Sequence, residues 1–379
     1  MGFMRIAIDI SQIAYGTGVG NYTKNLVKAL LKIDHKNDYL LFGYSLRLGS
    51  RLRDFEKELK DNKNFEFKLL PLPITIADII WNRVRLFPLD KLIGEVDLLH
   101  SSDWIQPPLR SKKTKKVTTV HDLVPFLFEN STHPKIIKNQ KRRLILVKKE
   151  IDVIFADSST TKDDLIKFTQ IPEEKIKVVH LGVSSEFKPQ DDEKVNRVLT
   201  KYKIKKPYIL SVATQEPRKN IQRLLDVFNK LSPENPNLSL VLVGKYGWGR
   251  DLELNANVKS TGFVPQEDLP AIYSAARVFV YPSIYEGFGL PILEAMACGV
   301  PVVTSNNSSM AEIAKDAAIL VDPRNESQIK KAIEMVIDLN LENYQKMVRA
   351  SMDRARQYSW AKTARQTLDV YEELLRAKD

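Results

Sequence analysis

Twelve short apolar runs punctuate the chain, separated by segments whose apolar residues recur at helical spacing. They are Ile6–Ile10, Tyr39–Tyr44, Phe65–Leu70, Val96–His100, Val117–His121, Val153–Ala156, Lys177–His180, Tyr208–Ala213, Leu238–Val243, Val258–Phe263, Val278–Tyr281 and Val302–Thr304. Strands alternating with helices predict parallel sheets covered by helices, an α/β fold. The polar connection Glu186–Lys206, with Pro189 and Pro207 beside it, divides the series. Two doubly wound, Rossmann-like domains facing across a cleft are therefore expected, residues 1–185 and 186–359. Sheets of this kind bind ligands at the carboxyl ends of their strands. The last segment, 360–379, is amphipathic, with Ala364, Leu368, Tyr371, Leu374 and Leu375 on one face.

The richest stretch follows the run Val278–Tyr281. Gly287-Phe288-Gly289 permits close backbone approach, Pro291 suits the first turn of a helix, and Gly299 suits the residue past its end. Strand, glycine loop and short helix leave N–H groups from Gly287 to Leu290 and beyond facing a ligand, a setting that attracts phosphate. Glu286 and Glu294 flank this loop, separated by seven residues. Ionised carboxylates only accept hydrogen bonds, so the pair suits a ligand with hydroxyls on both sides of its phosphates, as in a nucleotide sugar. One would take the sugar's hydroxyls, the other the ribose diol. The alternative is a surface glutamate after a tight turn.

Other strand ends add candidates. His121, with Asp122 beside it, ends the fifth run and is placed for a cleft, although a lone histidine there is often structural. The remaining histidines have no comparable context. Arg218 and Lys219 follow the run Tyr208–Ala213 and could neutralise a diphosphate; an ordinary charged loop is the alternative. Gly16, Gly18 and Gly20 precede a helix expected over Thr23 to Lys32, in a spacing that only partly fits a dinucleotide loop. Gly262, Phe263 and Val264 end a further run.

Composition narrows the setting. With 379 residues, two domains are expected. The single cysteine, Cys298, excludes an internal disulfide, and no Cys/His spacing suggests zinc. No signal-peptide pattern opens the chain and no apolar run approaches the ~20 residues that span a bilayer, so a cytoplasmic location, or the inner face of a membrane, is expected. The net charge of +11 is concentrated in residues 1–183, with 31 Lys and Arg against 22 Asp and Glu. Lys135 to Lys149 alone hold seven bases and no acids, among apolar neighbours. Such a stretch can lie on anionic lipid or simply solvate a helix face. No base-reading module for nucleic acid is present.

The string from Glu286 to Glu294 around Gly-Phe-Gly-Leu-Pro, continued by Ala295-Met-Ala-Cys-Gly-Val-Pro-Val302, closely resembles the signature of the retaining glycosyltransferases of family 4. The resemblance covers nearly the whole chain and implies the fold called GT-B, with the final helix crossing back onto the first domain. It further implies that His121 meets the donor sugar and that Glu216-Pro-Arg-Lys-Asn220 is the phosphate element. It places the Gly18–Gly20 loop beside the donor diphosphate and acceptor, and the base pocket at Gly262–Val264. Where some members carry an additional arginine, this chain has Ala213, which puts weight on Arg218.

No Asp-x-Asp occurs, so a divalent-metal clamp and any other cofactor are not expected. The leaving diphosphate would be met by Arg218, Lys219 and the Gly287–Gly289 amides. Retention is implied by the resemblance alone. Together, His121-Asp-Leu-Val-Pro125, the phosphate element and Leu181-Gly-Val-Ser-Ser185 look most like bacterial α-mannosyltransferases of polysaccharide assembly. GDP-mannose is then the leading donor, with a glycan or lipid-linked acceptor; a UDP-hexose (glucose or N-acetylglucosamine) is the runner-up. A phosphorylase using pyridoxal phosphate and a non-catalytic scaffold are the other classes. The acceptor side, residues 40–110, carries no legible signature.

Overall fold

The computed structural model describes residues 3–247 and 254–376. The apolar runs form two wholly parallel sheets. In the first are β1 (Arg5–Asp9), β2 (Asp38–Tyr44), β3 (Phe65–Leu70), β4 (Leu98–Ser101), β5 (Lys115–Val120), β6 (Val153–Ala156) and β7 (Ile176–Val178), in the order β3-β2-β1-β4-β5-β6-β7. In the second are β8 (Tyr208–Val212), β9 (Ser239–Val243), β10 (Val258–Gly262), β11 (Val278–Tyr281), β12 (Val302–Ser305) and β13 (Ile319–Val321), ordered β10-β9-β8-β11-β12-β13. Helices cover both faces, which is why the central strands are apolar throughout rather than alternating. Ile209, Leu240, Val278 and Val303 of the second sheet are fully buried, as are Leu40, Phe42 and Leu98 of the first. The strand β13 is absent from the twelve predicted. It is a sheet-edge strand of three residues, Ile319-Leu-Val321 with Leu320 exposed, an apolar run as short as the shortest of the twelve and left out of them.

The chain divides into one unit of Met1–Gly182 with Trp360–Asp379 and a second of Val183–Ser359. The division thus falls after Gly182 rather than at 185/186, and the stretch Glu186–Lys206 is not a linker. Asp191 caps a helix, Asp192–Tyr202, by accepting the Lys194 N–H at 2.8 Å, and Val195, Val198 and Leu199 bury its inner face. Lys201 and Tyr202 both donate to Asp268 of the second unit, at 2.7 and 2.8 Å. High charge density marks the outer face of this helix rather than a break. The last helix, Trp360–Arg376, packs on the helix Gly18–Ile33 through buried Ala364, Leu368 and Tyr371; residues 377–379 of the predicted segment lie outside the described residues.

The helix Gly18–Ile33 starts five residues before the expected Thr23, because Thr17 caps it by accepting the Gly20 N–H. Gly18 and Gly20 are therefore first-turn residues, and the positive φ falls on Gly16 (61°). A Cβ on Gly20 would come within 2.6 Å of the Gln12 carbonyl oxygen, whereas one on Gly18 would meet nothing within 4 Å. Gly20→Ala is expected to cost about 1–3 kcal/mol as an overpacking change. Gly18→Ala should be neutral in the same thermal melt.

Candidate active site

In the second sheet the strand order reverses between β8 and β11, and the loops after these two strands diverge over the crevice where doubly wound sheets take ligands. The loop after β8 makes a tight turn at Pro217–Lys219, ended by Asn220 in the left-handed region (φ 61°). The Asn220 amide locks this turn by donating to the carbonyls of Pro282 and Pro323, at 3.0 and 2.7 Å. Arg218 and Lys219 are thereby brought to Glu286, which follows β11. Lys219 Nζ lies 2.7 Å from Glu286 Oε1 and an Arg218 guanidinium nitrogen 3.0 Å from Oε2. Ser283 and Tyr281 donate to Oε1 at 2.6 and 3.0 Å. Burial alone would raise the Glu286 pKa, but Lys219 and Arg218, with those hydrogen bonds, hold it at about 2.

Glu286 is therefore an ionised anchor for two cations. With three donors on Oε1, little of that oxygen is left for the sugar hydroxyls that spacing alone would give it, and Oε2 faces Arg218. Lys219 keeps one of its three N–H donors beyond Glu286 and Tyr281. The Glu286 backbone is itself fixed, its N–H donating to Ser308 Oγ (3.2 Å) and its carbonyl accepting from Ser309 Oγ (2.8 Å). Ser309 also holds the Phe288 carbonyl (2.7 Å), and the buried Phe288 ring meets Tyr358 edge-on. Of the loop glycines Gly289 alone takes a positive φ, 105°, and it starts the helix Leu290–Ala297. Glu294, half-buried on that helix, accepts from Tyr273 OH at 2.9 Å. Burial outweighs that bond and raises its pKa to about 7. Gly262 ends β10 with φ 68°; Phe263 is exposed with Lys245 over its ring, and Val264 is buried.

In the first unit the register of parallel strands assembles the site. Val120 pairs with Ala156, so His121 and Asp157 both emerge one residue beyond adjacent strand ends. His121 Nδ1 donates to Asp157 Oδ2 at 2.7 Å. Burial would lower the His121 pKa, but Asp157, with Asp103 and Asp122 farther off, raises it to about 9, so the ring is a cation at neutral pH. Tyr22 packs edge-on against it, ring centroids 4.7 Å apart. A buried chain of hydrogen bonds runs from Tyr22 OH through Thr119 Oγ1 and the His100 ring to Tyr371 OH of the last helix. His100, without context in the sequence, is the link in that chain, kept neutral by burial. Beside His121 lies a cavity of about 490 Å³ that Val19, between the two glycines, also lines.

Residues 192–354 match the family described as Glycosyl transferases group 1, and residues 16–187 match Glycosyltransferase Family 4. O-antigen chain mannosyltransferase B of Escherichia coli is 31% identical over 97% of this chain and 99% of its own length. The chain belongs to glycosyltransferase family 4. A second Escherichia coli relative, the serotype-specific mannosyltransferase WbdA, is 28% identical over 73% of this chain, which spans 36% of that longer protein. A glycosyltransferase from Rickettsia africae (TM-score 0.73, 18% identity, 99% of both chains) and Anabaena HepE, solved with UDP and glucose (TM-score 0.71, 17% identity, 98% and 100%), share the fold. Its two parallel sheets are the GT-B architecture.

Several of the glycosyltransferase's partner groups escape sequence reading. Asp157, Ser283 and Tyr273 belong to no motif; Asp157 had the signal of ending the strand after that of His121. Among the described residues no three His, Cys, Asp or Glu side chains gather into a metal site. The basic run forms the helix Pro134–Glu150, and Arg143 is turned inward, donating to Thr118 Oγ1 (3.2 Å) and the Thr119 carbonyl (2.9 Å). Its charge is unavailable to a surface partner.

The raised His121 pKa has a definite pH consequence. The imidazolium stabilises the fold fully below its unfolded value of about 6.5, and that stability is lost as pH rises through about 9. An NMR titration should place His121 near 9. In Asp157→Asn it should fall well below that, and a titration left unmoved would mean Asp157 does not hold the charge.

Proposed function

We propose that this glycosyltransferase transfers a mannosyl residue from GDP-mannose, with retention, to a glycan or lipid-linked acceptor in cell-surface polysaccharide assembly. The observation that carries the reading is the convergence of Arg218 and Lys219 with Glu286 at the strand-order reversal of the second sheet. Arg218 and Lys219 share Glu286, Arg218 also lies 3.5 Å from Glu216, and Lys219 keeps one N–H donor to meet the leaving diphosphate. Donors preorganised toward developing charge are worth about 3–4 kcal/mol each. The named mannosyltransferase relatives support the sugar, and no metal enters the proposed mechanism. The family resemblance assigns His121 to the donor sugar, and Glu294 is assigned to the ribose diol. The UDP-glucose carried by Anabaena HepE keeps a UDP-hexose as the second donor to test.

Arg218→Ala or Lys219→Ala is expected to cut turnover about a hundredfold or more. Because Glu286 fixes both cations, Glu286→Gln should weaken nucleoside diphosphate binding as well as transfer, and calorimetry separates this from a contact to the sugar alone. In a panel of nucleotide sugars, GDP-mannose should give the largest thermal stabilisation and the only efficient transfer, and it should survive EDTA. Preference for a UDP-hexose would overturn the donor assignment, and activity lost to EDTA and restored by Mg²⁺ would overturn the metal-free mechanism.

Peripheral contact with anionic membrane completes the proposal. No described helix is long and apolar enough to cross a membrane. Lys135, Lys138, Lys141, Lys148 and Lys149 are exposed on the helix Pro134–Glu150, together with Ile145 at 68%. Each cation near an anionic surface contributes about 1 kcal/mol. Flotation should show binding to anionic vesicles that salt reverses, and Ser at Lys138, Lys141, Lys148 and Lys149 should abolish it while sparing a soluble acceptor. Equal binding to neutral vesicles would mean the charges only solvate the helix.

A further inference from the structure

We propose that Thr119, His100 and Tyr371 are positioning residues for His121, forming a relay from the last helix that fixes the Tyr22 ring against the His121 ring. The inference rests on the transferase reading, in which the family resemblance assigns His121 to the donor sugar.

Asp157 holds His121 at one atom. Nδ1 donates to it at 2.7 Å, which leaves Nε2 as the nitrogen for a ligand. A single hydrogen bond fixes one point of the ring and leaves its plane free to tilt. The Tyr22 ring closes that freedom, meeting the imidazole edge-on with 4.7 Å between centroids and 73° between planes. The direction of Nε2 is therefore set by Tyr22 as much as by Asp157.

Tyr22 is held in turn at two places by one element. Its ring lies 6.0 Å from that of Trp360, the first residue of the helix Trp360–Arg376. Its hydroxyl meets Thr119 Oγ1 at 2.9 Å, Thr119 meets His100 Nε2 at 2.9 Å, and His100 Nδ1 meets Tyr371 OH at 2.6 Å. Strand register makes this line possible. His100 on β4 pairs with Val117 on β5, so Thr119, two residues on, points to the same face of the sheet. Tyr371 lies about three turns along the helix from Trp360. The last helix thus grips Tyr22 by its ring and, through two strands, by its hydroxyl.

The relay is complete in its protons. Each hydroxyl has one, and the neutral His100 ring offers one N–H and one bare nitrogen, so all three bonds form with the donors pointing one way. Burial lowers the His100 pKa and keeps that ring neutral. All four residues are buried, where linked hydrogen bonds reinforce one another. A break anywhere along the line is therefore felt at Tyr22, the end that touches His121.

NMR of the full-length protein labelled with 15N-histidine reads the His121 ring apart from activity, and five histidines are few enough to assign. Thr119→Val and Tyr371→Phe should each move the His121 ring resonances. Each should also lower kcat for transfer from GDP-mannose to a soluble mannoside by about tenfold, as a misplaced group does, with GDP affinity unchanged. Thr119→Ser, which keeps the hydroxyl, should retain both wild-type properties. The double variant should lose no more than the larger single loss, since either change breaks the same relay. Leu368→Val, on the same helix, should lower the melting temperature and leave the His121 resonances and kcat unmoved. Unmoved His121 resonances in Tyr371→Phe would overturn the proposal, even where Thr119→Val fails to fold. So would losses that track the melting temperature across all variants, Leu368→Val included, or a Thr119→Ser that behaves like Thr119→Val. A wild type that transfers from no nucleotide sugar would instead overturn the transferase reading, and the His121 resonances would still decide the relay.

Discussion

A carboxylate buried between two cations is the constraint on which the second unit depends. Glu286 cannot be ionised in the interior unless it is paired, and it is paired on both oxygens, by Lys219 and Arg218. Removing one member of such a cluster leaves an uncompensated buried charge, at a cost of about 3–5 kcal/mol. The cluster therefore ties the loop after β8 to the loop after β11. Its second effect is chemical. The same bonds that settle Glu286 set the positions of the two cations, so anion recognition is built into the folding of the unit.

The first unit solves the same problem with one pair fewer. Parallel register places His121 and Asp157 side by side, and the raised His121 pKa follows from that adjacency rather than from any property of the histidine alone. Tyr22, Thr119, His100 and Tyr371 extend the pair into a buried hydrogen-bonded chain that reaches the last helix. Residues 360–376 are thus part of the polar architecture around His121 as well as of its apolar packing.

The fold was largely legible because most strands longer than three residues, though not β10 (Val-Lys-Ser-Thr-Gly at a sheet edge), are apolar runs bounded by polar turns, as expected of doubly covered parallel sheets. β13 was not, being short and marginal, and the helix Asp192–Tyr202 was hidden by its own charged outer face. Candidate residues were legible where a motif concentrates them, as at Arg218, Lys219 and Glu286. Their mutual engagement was not, because it joins residues 67 and more positions apart. Spacing also made Glu286 and Glu294 look equivalent. Their surroundings separate them, since two cations hold one near 2 while burial with a single tyrosine hydroxyl lifts the other to about 7.

The two sheets share the strand order 3-2-1-4-5-6 counted within each, extended by a seventh strand in the first, yet use the point of reversal differently. In the second unit the loops after β8 and β11 fill it with ion pairs. In the first unit the charged pair is displaced one strand farther, to β5 and β6, and the reversal between β1 and β4 opens into a largely apolar cavity. One architecture repeated twice thus carries two unlike surroundings, because each unit places its compensated charge at a different distance from the same topological feature.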